Sequence, residues 1–174
     1  MRYVVRAGGE ADPPGKAGLA HLLEHLIFHG TYDEPEGTIF NKAWDAGAYV
    51  NAYTSGNWTT YVLDAPATSF ASTATSMLSA VTAPALPFAS IDREKGVVSA
   101  EDADRPDLMT IFYALDQLLF PSHNGGLTVI GTEESRAAIT LDDLQEFHGR
   151  HYVPKNSVLI VAGDLSIDDV KAVA

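Results

Sequence analysis

Residues 18–31 read GLAHLLEHLIFHGT. A helix made of Leu, Ala, Ile and Phe on nearly every side belongs inside a protein, yet this one carries His21, Glu24 and His25. Polar groups buried without partners are costly. Either the three form a polar face that meets solvent, or they are half of a metal site that the rest of the chain completes. His21 and His25 stand four residues apart, so their imidazoles project from one face about one turn apart, which suits two ligands to one zinc. Glu24 lies close enough to that face to reach a metal-bound water without occupying the metal. This is the logic of HExxH with its order reversed.

Two histidines leave a catalytic zinc one protein ligand short. The chain has no cysteine, so disulfides, thiolate ligands and a cysteine nucleophile are excluded and the missing ligand must be a histidine or a carboxylate. The best source is DREKGVVSAEDADRPD, residues 92–107. Glu94 and Glu101 are two helical turns apart and share one face, with Val97 and Val98 expected to pack inward beside them. Each also has an ordinary reading, Glu94 paired with Arg93 or Lys95 and Glu101 as part of an acidic run. Spacing alone does not choose among Glu94, Glu101, Asp102 and Asp104.

The other histidines lack metal spacing. His29 sits four residues beyond His25, but its place just before Gly30 reads as a helix-end residue interacting with backbone carbonyls or the helix dipole. His123, His148 and His151 read as structural or surface groups.

Patterning predicts a strand over 2–7, a loop over 8–15, and helices over 16–29 and about 36–46. The Tyr, Val, Thr and Trp of residues 48–64, broken by SGN, predict a β-hairpin whose Tyr53, Trp58 and Tyr61 cover the core or its flank. Further helices are predicted over 65–79, about 92–105 and 107–120, the last with apolar residues at 108, 111, 112, 115, 118 and 119, followed by a PSHNGG loop. Thr140 opens a short helix over 141–149 with Asp143 at the capping-box position. Residues 156–166 predict a buried strand and a turn, and a last helix begins near Asp168. About four strands and six or seven helices make an α+β arrangement, an antiparallel sheet covered by helices. No internal repeat is visible.

The formal net charge of -12 is spread along the chain, 8 acidic against 4 basic residues in the first 87 positions and 15 against 7 in the rest. That disfavours a phosphate-binding surface, so nucleic acid is not an expected partner, and it leaves room for basic peptides. No apolar run approaches membrane-spanning length and no signal peptide is visible in the chain as given, which reads as soluble with its compartment open.

The chain closely resembles the pitrilysin-type, or inverzincin (M16), zinc metallopeptidases, the group that includes insulin-degrading enzymes and the β-subunit of the mitochondrial processing peptidase. The resemblance is carried by GLAHLLEHLIFHGT at 18–31, NAYTSGNWTTYV at 51–62, the Glu94 and Glu101 helix, LLFPSHN at 118–124, IGTEESRAAIT at 130–140 and FHGRHYVPKNSVLIVAGDL at 147–165. In that family the third ligand is a glutamate 76 residues after the second histidine, a position held here by Glu101. The resemblance therefore implies His21, His25 and Glu101 as ligands to one zinc, Glu24 as general base, and Glu94 as a glutamate that steadies the site by hydrogen bonding. It also implies that the strand carrying Asn51, Ala52 and Tyr53 is a sheet edge where a peptide substrate adds its backbone, Asn51 foremost.

The fold implied is one half-domain of the pitrilysin type. Residues 1–174 would be a single incomplete N-terminal catalytic half-domain, lacking an opening strand, a last portion and the second half-domain that contributes an Arg and a Tyr to catalysis. The function implied is a zinc-dependent endopeptidase, or its catalytic half, acting on short or unfolded polypeptides with a C-terminal half-domain or homologous subunit as partner. From a different class stands a non-catalytic peptide-binding or scaffolding subunit, and beside it a folded fragment that binds zinc without turnover.

Overall fold

The computed structural model describes residues 1–104, 107–119 and 128–174. Four strands form one antiparallel sheet: β1 (Arg2–Val5), β2 (Tyr49–Thr54), β3 (Thr59–Asp64) and β4 (Ser157–Ile160), in the order β2-β3-β1-β4. The helices are α1 (Leu19–Ile27), α2 (Thr38–Asp45), α3 (Phe70–Thr82), α4 (Phe88–Ala103), α5 (Asp107–Leu119), α6 (Glu133–Ala138), α7 (Leu141–His151) and α8 (Ile167–Lys171). This is the predicted α+β class, and none of the described helices is long and apolar enough to cross a membrane.

Alternation along the strands sorts the two faces of the sheet. Tyr3 pairs with Tyr61 and Leu159, and Tyr61 with Ala52, so these residues share the face packed against helices. Tyr61 is wholly buried and its hydroxyl lies 3.0 Å from that of Tyr152 on the C-terminal side of α7. Arg2, Asn51, Tyr49 and Tyr53 stand on the opposite face, where Tyr49 and Tyr53 are exposed. Of the three predicted hairpin aromatics, only Tyr61 enters the core; Tyr53 and Trp58 stay more than half exposed.

Several boundaries differ from the sequence reading. α1 begins at Leu19, not Lys16, because Gly18 adopts φ +97° and breaks the helix on its N-terminal side. An added Cβ at Gly18 would sit 2.4 Å from the Ile130 carbonyl oxygen, and one at Gly131 2.0 Å from that of Ala17, so only two glycines allow these segments to meet. Asp12 then replaces the missing turn: its carboxylate accepts from the backbone N–H of Gly18 at 2.7 Å and of Ala20 at 2.9 Å. Burial pushes the Asp12 carboxyl up to about 7 against these donors.

The acidic helix starts earlier than predicted, at Phe88 after Pro87, and its Val97 is exposed while Val98 is fully buried. α6 was not anticipated as a separate helix; a capping box between Thr132 and Ser135 starts it, as Thr140 and Asp143 start α7. The last strand is only four residues long and not buried throughout, with Val158 and Ile160 exposed, because it lies at an edge of the sheet. Arg105, Phe120, the PSHNGG loop and His123 lie outside the described residues.

Candidate metal centre

α1 is nine residues long and eight of them are buried, including His21 and Glu24. Leu19, Leu22, Leu23, Leu26 and Ile27 are inaccessible to solvent, so the rotation of the helix is set by the core and the polar residues take the direction left over. That direction faces a cleft of about 690 Å³ bordered by α1, β2, α4 and the segment at 129–130.

The atoms that meet there are His21 Nε2, His25 Nε2 and Glu101 Oε2. Glu101 Oε2 lies 3.7 Å from His21 Nε2 and 3.6 Å from His25 Nε2. One donor atom from each of the three residues falls within 4.8 Å of the others, the only such grouping of three or more acidic or imidazole side chains among the described residues. Donors about 2.1 Å from a tetrahedral zinc stand roughly 3.4 Å apart, so the two Glu101 contacts need to close by a few tenths of an ångström and the widest separation, within 4.8 Å, by more. Two imidazoles and a carboxylate also match the chemistry of a catalytic zinc site. The residues fit the ion.

The two imidazoles have different surroundings. Burial, helped by the nearby His25 and Arg136 charges, pushes His21 down to about 4, which keeps it neutral and able to ligate. Its Nδ1 is buried with no hydrogen-bond partner among the described residues. His25 instead has Nδ1 3.2 Å from Glu94 Oε2. Glu94 is buried in the middle of α4 and is paired with histidines; Lys95, its neighbour, donates to the carbonyls of Ile139 at 2.8 Å and Ala137 at 3.3 Å.

Glu24 lines the same cleft but stays outside the three-residue cluster. Thr54 Oγ1 donates to Glu24 Oε2 at 2.6 Å. Burial raises the Glu24 carboxyl above the ordinary range, and the Thr54 hydroxyl and backbone N–H hold part of that rise back. Thr54 was not singled out from the sequence, although its alternation with the buried Ala52 would have placed it on the α1 side of the sheet.

The outer edge of β2 is a border of the cleft, with Asn51, Ala52 and Tyr53 among its lining residues. The Ala52 N–H donates to Asn51 Oδ1 at 2.9 Å, and the Asn51 amide donates to the hydroxyls of Tyr49 at 2.7 Å and Tyr53 at 3.0 Å.

Two further residues escaped the sequence reading. Arg136 is buried and donates from Nη1 to the carbonyls of Gly131 at 3.1 Å and Ile130 at 3.2 Å, to Asp102 at 3.3 Å, and from Nη2 to Ser99 at 3.3 Å. It thus ties the last turns of α4, where Glu101 sits, to the segment that meets the start of α1. His29 is the second, and its reading as a helix-end residue is corrected. Its ring lies between Glu94, 3.1 Å from Nε2, and Arg93, 2.9 Å from Nδ1. His148 behaves as expected for a structural group, its Nε2 2.8 Å from the Val81 carbonyl.

Comparison with known proteins follows the same lines. The family model described as insulinase (peptidase family M16) matches residues 1–123, and that of the peptidase M16 inactive domain matches residues 138–174. The probable mitochondrial-processing peptidase subunit beta of Schizosaccharomyces pombe is 26% identical over 172 residues, covering 98% of this chain and 38% of that protein. An uncharacterized zinc protease of Mycobacterium leprae is 31% identical over 173 residues, covering 97% of this chain and 38% of that protein. A crystal structure of a protease from Helicobacter pylori superposes with a TM-score of 0.92 at 25% identity, covering 99% of this chain and 42% of that one. The chain therefore spans well under half the length of these relatives.

Proposed function

The chain belongs to the insulinase family of peptidases, peptidase family M16, and on that premise we propose that it is the zinc-binding catalytic half of an endopeptidase. The observation that carries the reading is the convergence of His21, His25 and Glu101 on one point beside the buried carboxylate of Glu24. His21, His25 and Glu101 would hold one zinc ion per chain. Zinc bound there lowers the pKa of a coordinated water and polarises a peptide carbonyl.

The chain's own residues supply the rest. Glu24 accepts a proton from the attacking water and later delivers it to the leaving amine, a task suited to a carboxyl raised by burial. Thr54 pins one Glu24 oxygen, so the carboxylate is already oriented before substrate arrives. Among the described residues the outer edge of β2 pairs with no other strand, and an extended peptide can pair with it as an added strand. In that exchange the Asn51 side chain hands the Ala52 N–H to a substrate carbonyl and its own amide is freed for a second contact. Backbone pairing of this kind accepts many sequences and requires them to be extended, which favours short or unfolded polypeptides. A C-terminal half-domain or homologous subunit closes over the cleft; the name of the fission-yeast relative, a beta subunit, is in keeping with this.

The test is metal content together with cleavage of a quenched peptide library, for this chain alone and mixed with a C-terminal half-domain. One zinc per chain, hydrolysis in the mixture, and loss of hydrolysis by about 100-fold or more in Glu24→Gln with zinc retained are the expected results. Folded protein without stoichiometric zinc would sink the reading. Zinc binding and partner-dependent peptide capture without turnover would favour a non-catalytic subunit instead.

A further inference from the structure

His29 lies four residues after His25, just past the end of α1, and meets Glu94 and Arg93 instead of the cluster, with its side chain only 8% exposed. His29 Nδ1 lies 2.9 Å from Arg93 Nη2 and 3.4 Å from Glu36 Oε1; a guanidinium can only donate, so taking the closer contact as the hydrogen bond makes Nδ1 an acceptor. In a neutral imidazole the proton then resides on Nε2, which donates to Glu94 Oε1 at 3.1 Å. Glu94 Oε2, in turn, accepts from His25 Nδ1–H at 3.2 Å. That assignment places the His25 lone pair on Nε2, the atom 3.6 Å from Glu101 Oε2. Arg93 is itself anchored by Glu36 Oε1 at 2.6 Å, across from α4 on the segment leading into α2.

We propose that His29 is a positioning residue: through Glu94 it sets the tautomer and ring orientation of His25, and so prepares one zinc ligand before the metal arrives. In the chain of contacts Glu36, Arg93, His29, Glu94, His25, the guanidinium donates to Glu36 and His29, and both imidazoles donate to Glu94. Glu94 has both oxygens engaged by imidazoles, which also keeps it from turning toward the metal as a competing ligand. With His29 gone, Glu94 Oε1 would keep its ion pair with Arg93 Nε at 3.6 Å but lose its close hydrogen bond, in a buried position. Supporting partners of this kind command about 10–100-fold in metal affinity. The zinc part of the proposal rests on the metal reading above; the tautomer part does not.

The experiment compares the full-length protein with His29→Leu and His29→Gln. Glutamine offers an amide N–H to Glu94 and a carbonyl to Arg93, so it preserves both contacts without a ring. Nitrogen chemical shifts of the His25 ring in the metal-free protein should report a single Nδ1–H tautomer in the parent and in His29→Gln, and a mixture in His29→Leu. Chelator competition should find zinc affinity about 10–100-fold weaker in His29→Leu and restored in His29→Gln. A His29→Leu protein that keeps both the tautomer and the affinity overturns the proposal. So does a folded His29→Gln protein that loses the tautomer, which keeps the test decisive if the leucine variant does not fold. A parent protein that shows the tautomer but binds no zinc would refute the metal reading and leave the positioning of His25 standing.

Discussion

The two helices that meet at the cluster are held in unlike ways. α1 has eight of its nine residues buried, whereas α4 has sixteen residues of which Ser90, Ile91, Glu94 and Val98 are buried. His21 and His25 have side chains 10% and 20% exposed; Glu101, near the C-terminal end of α4, is 50% exposed. The histidine pair is therefore placed by the hydrophobic core. Glu101 is placed by a helix that polar tethers register: Lys95 on the Ala137 and Ile139 carbonyls at the end of α6, Arg136 on Ser99 and Asp102, and Glu94 on two histidines. Close packing resists small changes and fails in large steps, while each polar tether can be removed singly. Substitutions in the first helix should thus disturb fold and metal together, and those at the end of the second should disturb the metal alone.

The largest effect should come from the core of α1. Leu23→Ala removes a fully buried side chain and should cost about 3 kcal/mol of stability, read as a lowered denaturation midpoint of the metal-free protein, with weakened zinc binding alongside. A variant that loses stability but binds zinc as well as the parent would break the link between core and ligands. Glu101→Gln sharpens the other half of the comparison. Zinc affinity should fall by about 100-fold or more, beyond the roughly 10–100-fold that supporting residues command because Glu101 would be a ligand itself, while the unfolding midpoint of the metal-free protein stays unchanged. A clear loss of stability in that variant would mean that Glu101 belongs to the structural framework as well.

The smallest effect concerns the approach to α1. Lys16 donates to the Asp143 carboxylate at 2.7 Å, and its ammonium also reaches the Ala138 carbonyl, joining the loop before α1 to the start of α7. Burial raises the Asp143 carboxyl, but the Lys16 and Thr140 hydrogen bonds outweigh it and bring the value down to about 2. A carboxyl held below its ordinary value of 3.8 contributes stability that is complete above that value and is lost as pH falls toward 2. Both side chains are about a quarter exposed, so solvent screening limits the contribution to about 1 kcal/mol. Urea titrations at pH 6 and pH 2.5 should show an acid-dependent loss that shrinks by this amount in Lys16→Met; an unchanged difference would remove the pair from the anchoring of α1.

How much of this was readable beforehand depends on the range of each interaction. The HLLEH spacing acts within one turn of helix, and the apolar residues around it are enough to place the motif inside a protein. The capping box at Thr140 is equally local and is read where it occurs, whereas the one between Ser166 and Asp169 was not singled out. His29 was misread because its sequence neighbours offer only a helix end, while its partners Glu94 and Arg93 stand on α4. Val97 was assigned inward because a helical repeat cannot say which adjacent residue a neighbouring element will cover, and α4 turns Val98 to the core. Tyr53 and Trp58 were grouped with Tyr61 on composition, yet strand alternation and the turn send them to solvent. Arg136 gave no signal at all, since one arginine in a short polar helix looks like surface until α4, the 130–131 segment and Gly18 close around it.

By itself, the chain determined which residue types could form a metal site and where two of them lie: no cysteine, an apolar helix with HxxEH, and a carboxylate pair two turns apart on a later helix. It also determined the class of fold, through the change of period from helix to hairpin and back. What the tertiary structure decided is which carboxylate meets the histidines. Glu94 and Glu101 share one face of α4, and only the crossing of α4 over α1 sends Glu94 to His25 Nδ1 and Glu101 to the two Nε2 atoms. That crossing depends on contacts far apart in sequence, among them Gly18 against Ile130 and Arg136 against Asp102. Local periodicity determines faces; only packing determines what each face meets.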